Sequence, residues 1–172
     1  PRSAPPRGLG RPLARVFDLE KNFIICEFEQ HETALLTSRF TSDGALIVTV
    51  SSDGHMILWS TQGEVVEERR LEEVLISAAV SSDGRFVVTI TEEGAAYIAP
   101  FGDTPPTPLE IEGKVEEVAL VSGDEVVLTR DEEGVFRSFA VADGALVLER
   151  SMDDPISVCL LYTSDAAAEG LG

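Results

Sequence analysis

The chain alternates short apolar runs with turn-forming residues along most of its length. Residues 46–50 (LIVTV), 86–90 (FVVTI) and 125–129 (EVVLT) are runs rich in β-branched side chains, and Gly, Asp and Ser flank them. Such runs, bounded by turn residues at a spacing of roughly ten residues, are typical of strands. The intervening segments are too short for helices of ordinary length. The sequence therefore predicts an all-β fold.

The pattern also repeats with a period of 40 residues. Three kinds of position recur at this spacing: Asp43-Gly44 with Asp83-Gly84; Thr49 with Thr89 and Thr129; and Gly54 with Gly94 and Gly134. A fixed period of this length indicates stacked copies of one supersecondary unit. Each copy is expected to contain four short strands.

The strands within a unit differ in polarity. The three apolar runs have no polar face, which predicts strands covered on both sides by neighbouring units. By contrast, residues 64–69 (EVVEER) are charged, and residues 104–112 (TPPTPLEIE) contain prolines, which are tolerated on edge strands. Each unit thus runs from a buried inner strand to an exposed outer strand, as in the blade of a β-propeller.

The segment from Gln30 to Ser60 resembles one repeat of the WD-repeat (tryptophan-aspartate) family of β-propellers. His31 stands at the family's Gly-His position, with Gln30 replacing the glycine, and Trp59 stands at the family tryptophan, with Ser60 replacing its aspartate. The later units diverge from the pattern. At the Trp position they have Ala99 and Phe139, and at the His position Leu71 and Ile111. At the turn Asp position they have Glu93 and Glu133.

This resemblance implies a structural hydrogen-bond network of His31, Thr49, Asp53 and Trp59. Asp53 would accept from His31, while the Thr49 hydroxyl would meet both the imidazole and the indole N–H. Buried polar groups are normally paired in this way. A histidine, a hydroxyl and a carboxylate could also suggest a hydrolase triad, but the repeat explains each residue and no G-x-S-x-G motif is present.

The resemblance covers residues 14–158, or about three and a half blades. Residues 14–19 (ARVFDL) and 23–28 (FIICEF) are expected to be the third and outer strands of a preceding blade, and residues 154–158 (DPISV) the start of a following one. Because closed propellers have roughly four to eight blades, we expect an open arc.

Both ends of the chain differ from the repeat. Residues 1–13 (PRSAPPRGLGRPL) are rich in proline and arginine and are expected to form a linker or disordered extension. Residues 159–167 (CLLYTSDAA) correspond to the codons TGT CTC TTA TAC ACA TCT GAC GCT GCC, which resemble a transposase adapter used in DNA library preparation. The match departs at Ala168. We therefore expect residues 159–172 to be a non-native tail and the chain to be a fragment.

Charge and composition narrow the classes of partner. With 31 acidic and 13 basic residues, the net charge is −18, which disfavours nucleic acid and anionic membrane surfaces. No long apolar segment or secretory signal is visible. Cys26 and Cys159 form neither a disulfide framework nor a metal-ligand spacing, and the turns TEEG and DEEG lack the alternating oxygen ligands of a calcium loop. We expect a cytoplasmic protein without metal or cofactor.

The acidic residues concentrate on one predicted face. In a four-stranded blade, the second-to-third turns and the connections between blades lie on the same side. Seven glutamates there are candidate contacts to a partner: Glu32, Glu72, Glu73, Glu92, Glu116, Glu117 and Glu132; Asp53, Glu93, Glu112, Asp131 and Glu133 are expected beside them. Such a face would recruit a basic protein segment, or would merely keep the molecule soluble.

The function predicted from these features is a protein-protein interaction scaffold without catalysis of its own. One alternative is a regulatory propeller fused to an upstream signalling enzyme, with residues 1–13 as the linker. Another is a catalytic propeller, which would need inward His or carboxylate groups on successive innermost strands. Those strands supply mainly apolar residues instead. His55 and Cys26 are expected to be ordinary turn and packing residues.

Overall fold

A computed structural model of the chain describes residues 12–151, which contain strands and turns but no helix, and hence no helix able to cross a membrane. Residues 1–11 and 152–172 lie outside the described part, and with them most of the predicted linker, the predicted start of a following blade and the predicted tail. The strands are β1 (Ala14–Asp18), β2 (Phe23–Phe28), β3 (Leu35–Phe40), β4 (Leu46–Ser51), β5 (His55–Ser60), β6 (Val65–Arg70), β7 (Leu75–Val80), β8 (Phe86–Thr91), β9 (Ala96–Pro100), β10 (Thr107–Leu109), β11 (Val115–Val121), β12 (Val126–Asp131), β13 (Val135–Ala140) and β14 (Leu146–Ser151).

These strands form four separate antiparallel sheets. β1 and β2 make a hairpin, and the other twelve strands make three four-stranded meanders, β3–β6, β7–β10 and β11–β14. We call these the first, second and third blades. The predicted all-β architecture of four-stranded blades is confirmed, and the described sheets form an open series rather than a closed ring.

The period of 40 residues extends to the irregularities of the sheets. β4, β8 and β12 begin at Leu46, Phe86 and Val126. The innermost strands carry a register shift at the same place in each blade: between Leu35 and Thr37, between Leu75 and Ser77, and between Val115 and Glu117. Bulges that recur in this way belong to the unit itself.

Apolar clusters fill the spaces between adjacent sheets. The first cluster along the chain is centred on Trp59. The second is centred on Val50 and Val87, and the third on Val88 and Val127. The second and third strands of each blade are the most buried. The prediction that the apolar runs are covered on both sides is therefore confirmed, because their apolar residues lie in β4, β8 and β12 and are mostly buried. These are the second strands of the blades. The innermost strands β3, β7 and β11 are half-buried or exposed over most of their length, because an innermost strand has a sheet neighbour on one side only.

The outer strands are exposed, as the charged and proline-containing segments predict. Of residues 104–112, only Thr107–Leu109 pair with β9. Pro105 and Pro106, which lack the N–H that a ladder requires, directly precede the paired segment. Pro108 sits opposite Tyr97 on this edge.

The connections between blades are held against the second-to-third turns. The backbone N–H groups of the turns donate to carbonyls of the connections at the same place in each blade: Ser52 to Ala34 (2.9 Å), Glu92 to Val74 (2.9 Å) and Glu132 to Lys114 (3.0 Å). We call the surface formed by these turns and connections (residues 29–34, 52–54, 71–74, 92–95, 110–114 and 132–134) the connection face.

Candidate functional site: a buried polar chain and an acidic face

The first blade contains a chain of hydrogen bonds that begins at the indole of Trp59. Its Nε1–H donates to Thr49 Oγ1 at 2.7 Å, and Thr49 Oγ1 lies 2.6 Å from Nε2 of His31. The connection before β3 supplies His31, β4 supplies Thr49, and β5 supplies Trp59. All three are almost fully buried, and the ring of Phe28 packs on the indole at a centroid distance of 4.5 Å.

The chain of hydrogen bonds continues through the Ser51 hydroxyl, which the sequence interpretation missed. His31 Nδ1 lies 2.8 Å from Ser51 Oγ, and Ser51 Oγ donates to Asp53 Oδ1 at 2.6 Å. The expected direct bond between Asp53 and His31 is thus replaced by a bond through a hydroxyl. The alternation of the strand is the signal that could have found it, because Thr49 and Ser51 point to the same face of β4.

These bonds fix the position of each proton. The ionised carboxylate of Asp53 can only accept, so Ser51 donates to it and accepts from the Nδ1–H of His31. Nε2 then accepts from the Thr49 hydroxyl, which itself accepts from the indole. A neutral His31 satisfies every one of these bonds. Burial, and to a lesser extent the nearby His55, lowers the pKa of His31 to about 4.

Asp53 is anchored by further polar contacts. Thr33 Oγ1 donates to Asp53 Oδ1 at 2.9 Å, and Arg70 forms an ion pair with the carboxylate. Although burial alone would raise it, these hydrogen bonds and the guanidinium hold the pKa of Asp53 below its usual value.

The chain of hydrogen bonds from Trp59 to Asp53 has the geometry of a structural network. The hydroxyl of Thr49 and the imidazole of His31 are covered by Trp59 and the neighbouring strands, so no substrate could reach them in this conformation. His55, at the start of β5 rather than in an exposed turn, lies 5.3 Å from His31 between ring centroids. Among residues 12–151, no group of three or more His, Cys, Asp or Glu side chains is arranged to hold a metal ion.

The second blade keeps the threonine but has lost its partners. Thr89 stands at the Thr49 position, whereas Leu71 and Ala99 replace the imidazole and the indole. The strand register confirms the equivalence, because Val87 is paired with Ala99 as Ile47 is with Trp59. The hydroxyl of Thr89 is the one buried side-chain polar atom within residues 12–151 that has no hydrogen-bond partner.

The third blade has a buried ion pair in the same region. Arg137 Nη1 lies 2.5 Å from Asp131 Oδ2, and Arg137 Nε donates to Glu149 at 2.6 Å. Despite burial, which acts in the opposite direction, bonds from Arg137 and from the backbone of Val135 lower the pKa of Asp131. Asp131 is 2% exposed, so the expectation that it lies on the acidic surface is wrong.

All seven candidate glutamates are exposed, but they fall into two groups. Glu32, Glu72, Glu73, Glu92 and Glu132 lie on the connection face. Glu116 and Glu117 lie on β11 instead, where Arg130 contacts their carboxylates at 3.2 and 3.0 Å. The hydrogen bond from Arg130 lowers the pKa of Glu117, so much of this second group's charge is locally balanced.

Four glutamates line one groove beside the connection between the first and second blades. Glu72, Glu73, Glu92 and Glu93 line a groove of about 310 Å³ together with Val74 and Thr91, and we call it the acidic groove. None of the ion pairs found within residues 12–151 involves these four glutamates.

The backbone of the acidic groove is held from both sides. The N–H of Leu75 donates to Ser52 at 2.8 Å and the N–H of Leu71 to Gly54 at 3.0 Å, which pins the connection to the first blade. The bond from Glu92 to Val74 pins it to the second. The groove therefore presents unpaired carboxylates from a fixed backbone.

Comparison with known proteins supports the fold and leaves the family open. The chain matches no protein-family model, and no curated protein sequence is detectably similar to it. Among solved structures it is similar to the β-propeller domain of Cps50 (Swd1) from Myceliophteria thermophila, with a TM-score of 0.74 and 11% sequence identity. The match covers 83% of this chain and 52% of that one, so the chain spans about half the length of this neighbour.

Proposed function

We propose that residues 14–158 are a segment of a WD-repeat-like propeller that binds a protein partner and has no catalytic activity of its own. Its connection face binds a basic segment of that partner, with Glu72, Glu73 and Glu92 at the centre of the contact. Glu32 and Glu132 extend the contact on the connection face, whereas Glu116 and Glu117, which lie on β11 and contact Arg130, contribute less to it. The proposal places the protein in the cytoplasm, without nucleic acid or membrane as partner.

The observation that carries this proposal is the acidic groove. Carboxylates held near one another without cationic partners repel each other, and an incoming Lys or Arg relieves that repulsion. Their backbone is already ordered, so binding costs less conformational entropy than ordering a flexible acidic loop would.

The test is a selection of peptides from a random-sequence display library on the whole chain. The proposal predicts that the enriched peptides are rich in Lys and Arg. It also predicts that the triple variant Glu72→Gln, Glu73→Gln and Glu92→Gln binds them at least about tenfold more weakly. Enrichment of neutral or acidic peptides would overturn the proposal.

A matched control separates the groove from overall charge. Glu64, Asp103 and Glu125 are exposed acids in the turns on the opposite face. The triple variant Glu64→Gln, Asp103→Asn and Glu125→Gln removes the same number of carboxylates, and it should bind the selected peptides like the wild type. Equal weakening in both variants would show that the peptides respond to net charge alone.

A further inference from the structure

A small cavity opens beside the acidic groove, where the connection after the first blade meets the second blade. It has a volume of about 130 Å³. Four residues with largely apolar side chains line it: Leu71, Leu75, Tyr97 and Pro106. Glu72 and Glu73 line both this cavity and the acidic groove. The cavity and the groove are therefore adjoining parts of one surface.

The cavity offers apolar contact and little hydrogen bonding. Leu71, Tyr97 and Pro106 are half-buried, so each keeps surface that an incoming group can cover. The other two lining residues, Thr89 and Thr91, are almost fully buried and present little polar surface to such a group. An apolar side chain is thus the group that gains most by entering.

One wall of the cavity is fixed in advance by backbone hydrogen bonds. The N–H of Leu71 donates to the carbonyl of Gly54 at 3.0 Å, and the N–H of Leu75 donates to that of Ser52 at 2.8 Å. The same bonds hold the connection that carries Glu72 and Glu73. A ligand therefore meets a wall that it does not have to order, which favours binding.

From the cavity and the glutamates that it shares with the acidic groove, we propose that it receives one apolar side chain of the bound basic segment. The size is suitable for leucine or phenylalanine, since an apolar cavity of about 150 Å³ holds benzene, whereas an indole is larger. An apolar side chain seated in a pocket among charged contacts is the usual anchor of a protein interface.

The carboxylates specify the neighbours of this side chain. Lysine or arginine on either side of it would meet Glu72, Glu73 and Glu92, whereas acidic neighbours would be repelled. The inference rests on the proposed function and deepens it, because it names a leucine or phenylalanine flanked by basic residues as the recognised motif.

The test compares the binding of three amidated peptides to the whole chain at one salt concentration. Lys-Lys-Leu-Lys-Lys should bind at least about fivefold more tightly than Lys-Lys-Ala-Lys-Lys, because leucine buries more apolar surface. Lys-Lys-Trp-Lys-Lys should bind more weakly than the leucine peptide, because its indole is too large for the cavity. In methyl NMR spectra, the leucine peptide should cause saturable shifts of Leu71 and Leu75.

Variants of Leu71 test the wall of the cavity. Leu71→Ser should reduce the preference for leucine over alanine to less than about twofold, and Leu71→Met, which restores an apolar wall, should recover it. The preference is a ratio of two Kd values measured on one protein sample, so a loss of folded protein cancels.

A matched control addresses apolar surface elsewhere. Leu148, on β14, is 51% exposed and lies outside the cavity, so Leu148→Ser should leave the preference unchanged. A loss of preference in Leu148→Ser equal to that in Leu71→Ser would assign the effect to general apolar adhesion and refute the pocket. Tightest binding by the tryptophan peptide would refute it too, and so would a full preference for leucine in Leu71→Ser.

The alanine peptide distinguishes failure of the pocket from failure of the proposed function. If the leucine and alanine peptides bind equally and in a salt-sensitive manner, the pocket is wrong and the acidic groove stands. If no peptide binds, the proposed function itself is contradicted, and the pocket with it.

Discussion

At the scale of single residues, Thr49 and Thr89 show that one residue type at one repeat position can have opposite energetic effects. Thr49 is bonded to two buried partners, whereas Thr89 is bonded to none. The sequence predicts their equivalence from the period of 40 residues. It could not predict the difference, which depends on the side chains that a third strand and a connection bring to each site.

Replacing each threonine by valine, which is close in shape, should therefore change stability in opposite directions. Thr49→Val leaves the indole N–H of Trp59 and Nε2 of His31 unpaired, and we expect it to lower the free energy of unfolding by about 2–4 kcal/mol. Thr89→Val removes an unpaired buried hydroxyl and should raise it by up to about 1 kcal/mol. Urea unfolding followed by circular dichroism measures both. Equal destabilisation by the two variants would contradict the assignment of the hydrogen bonds.

His31 should make the stability of the protein depend on pH below neutrality. Its pKa is about 4 in the folded state and about 6.5 when unfolded, so between these values the unfolded state binds a proton that the folded state does not. The free energy of unfolding is unaffected by this residue above pH 6.5 or so. It should fall by roughly 3 kcal/mol as the pH decreases to about 4.

The variant His31→Gln provides the comparison, since all other titrating groups are unchanged. Unfolding curves at several pH values between about 4 and 7.5 should show a steeper loss of stability for the wild type than for the variant. Parallel curves would mean that His31 is not held neutral by the network.

At the scale of the strands and turns, the repeat predicted the architecture well because local patterns determine it. Apolar runs and Asp-Gly turns reveal where strands begin and end. The low burial of β3, β7 and β11 depends on what lies beyond the innermost edge of each sheet, which the composition of a strand does not show. The ion pair of Asp131 with Arg137 was missed for a similar reason: it joins residues on adjacent strands at positions where the first blade has Ser51 and Ile57.

Two turn glycines with the same backbone conformation provide an element-scale prediction. Gly44 and Gly54 both have positive φ, at 68° and 79°. A Cβ at Gly44 would meet nothing within 4 Å, whereas at Gly54 a Cβ would overlap the carbonyl oxygen of Leu71 and lie 2.9 Å from that of Glu73. Gly44→Ala should cost about 1 kcal/mol, from the left-handed conformation alone.

Gly54→Ala should cost at least about 2 kcal/mol more, because the backbone of the connection must move. The displaced connection carries Glu72 and Glu73, so this variant should also bind the selected basic peptides more weakly. Thermal unfolding of the two variants is the measurement. Similar midpoints would show that the turn and the connection are not packed as described.

At the scale of the whole molecule, the net charge of −18 is unevenly distributed. Glu116 and Glu117 are balanced by Arg130, and Asp53 by Arg70, while the acidic groove has no cationic partner among the described residues. The sequence identified the acids but could not separate paired from unpaired ones, since the pairs join residues that are 13 to 17 positions apart. The groove therefore carries four carboxylates without a direct ion pair, although Arg70 lines the adjoining surface together with Glu72 and Glu73.

The central claim is that this groove attracts and holds a basic segment. The most direct test is the association rate constant of a selected basic peptide, measured by stopped flow from about 20 to about 300 mM salt. For the wild type, the account predicts a steep decrease of the rate constant with salt. The variant with Glu64, Asp103 and Glu125 neutralised should show the same steep decrease. The variant with Glu72, Glu73 and Glu92 neutralised should show only a shallow decrease. A salt dependence that is the same in all three proteins would contradict it.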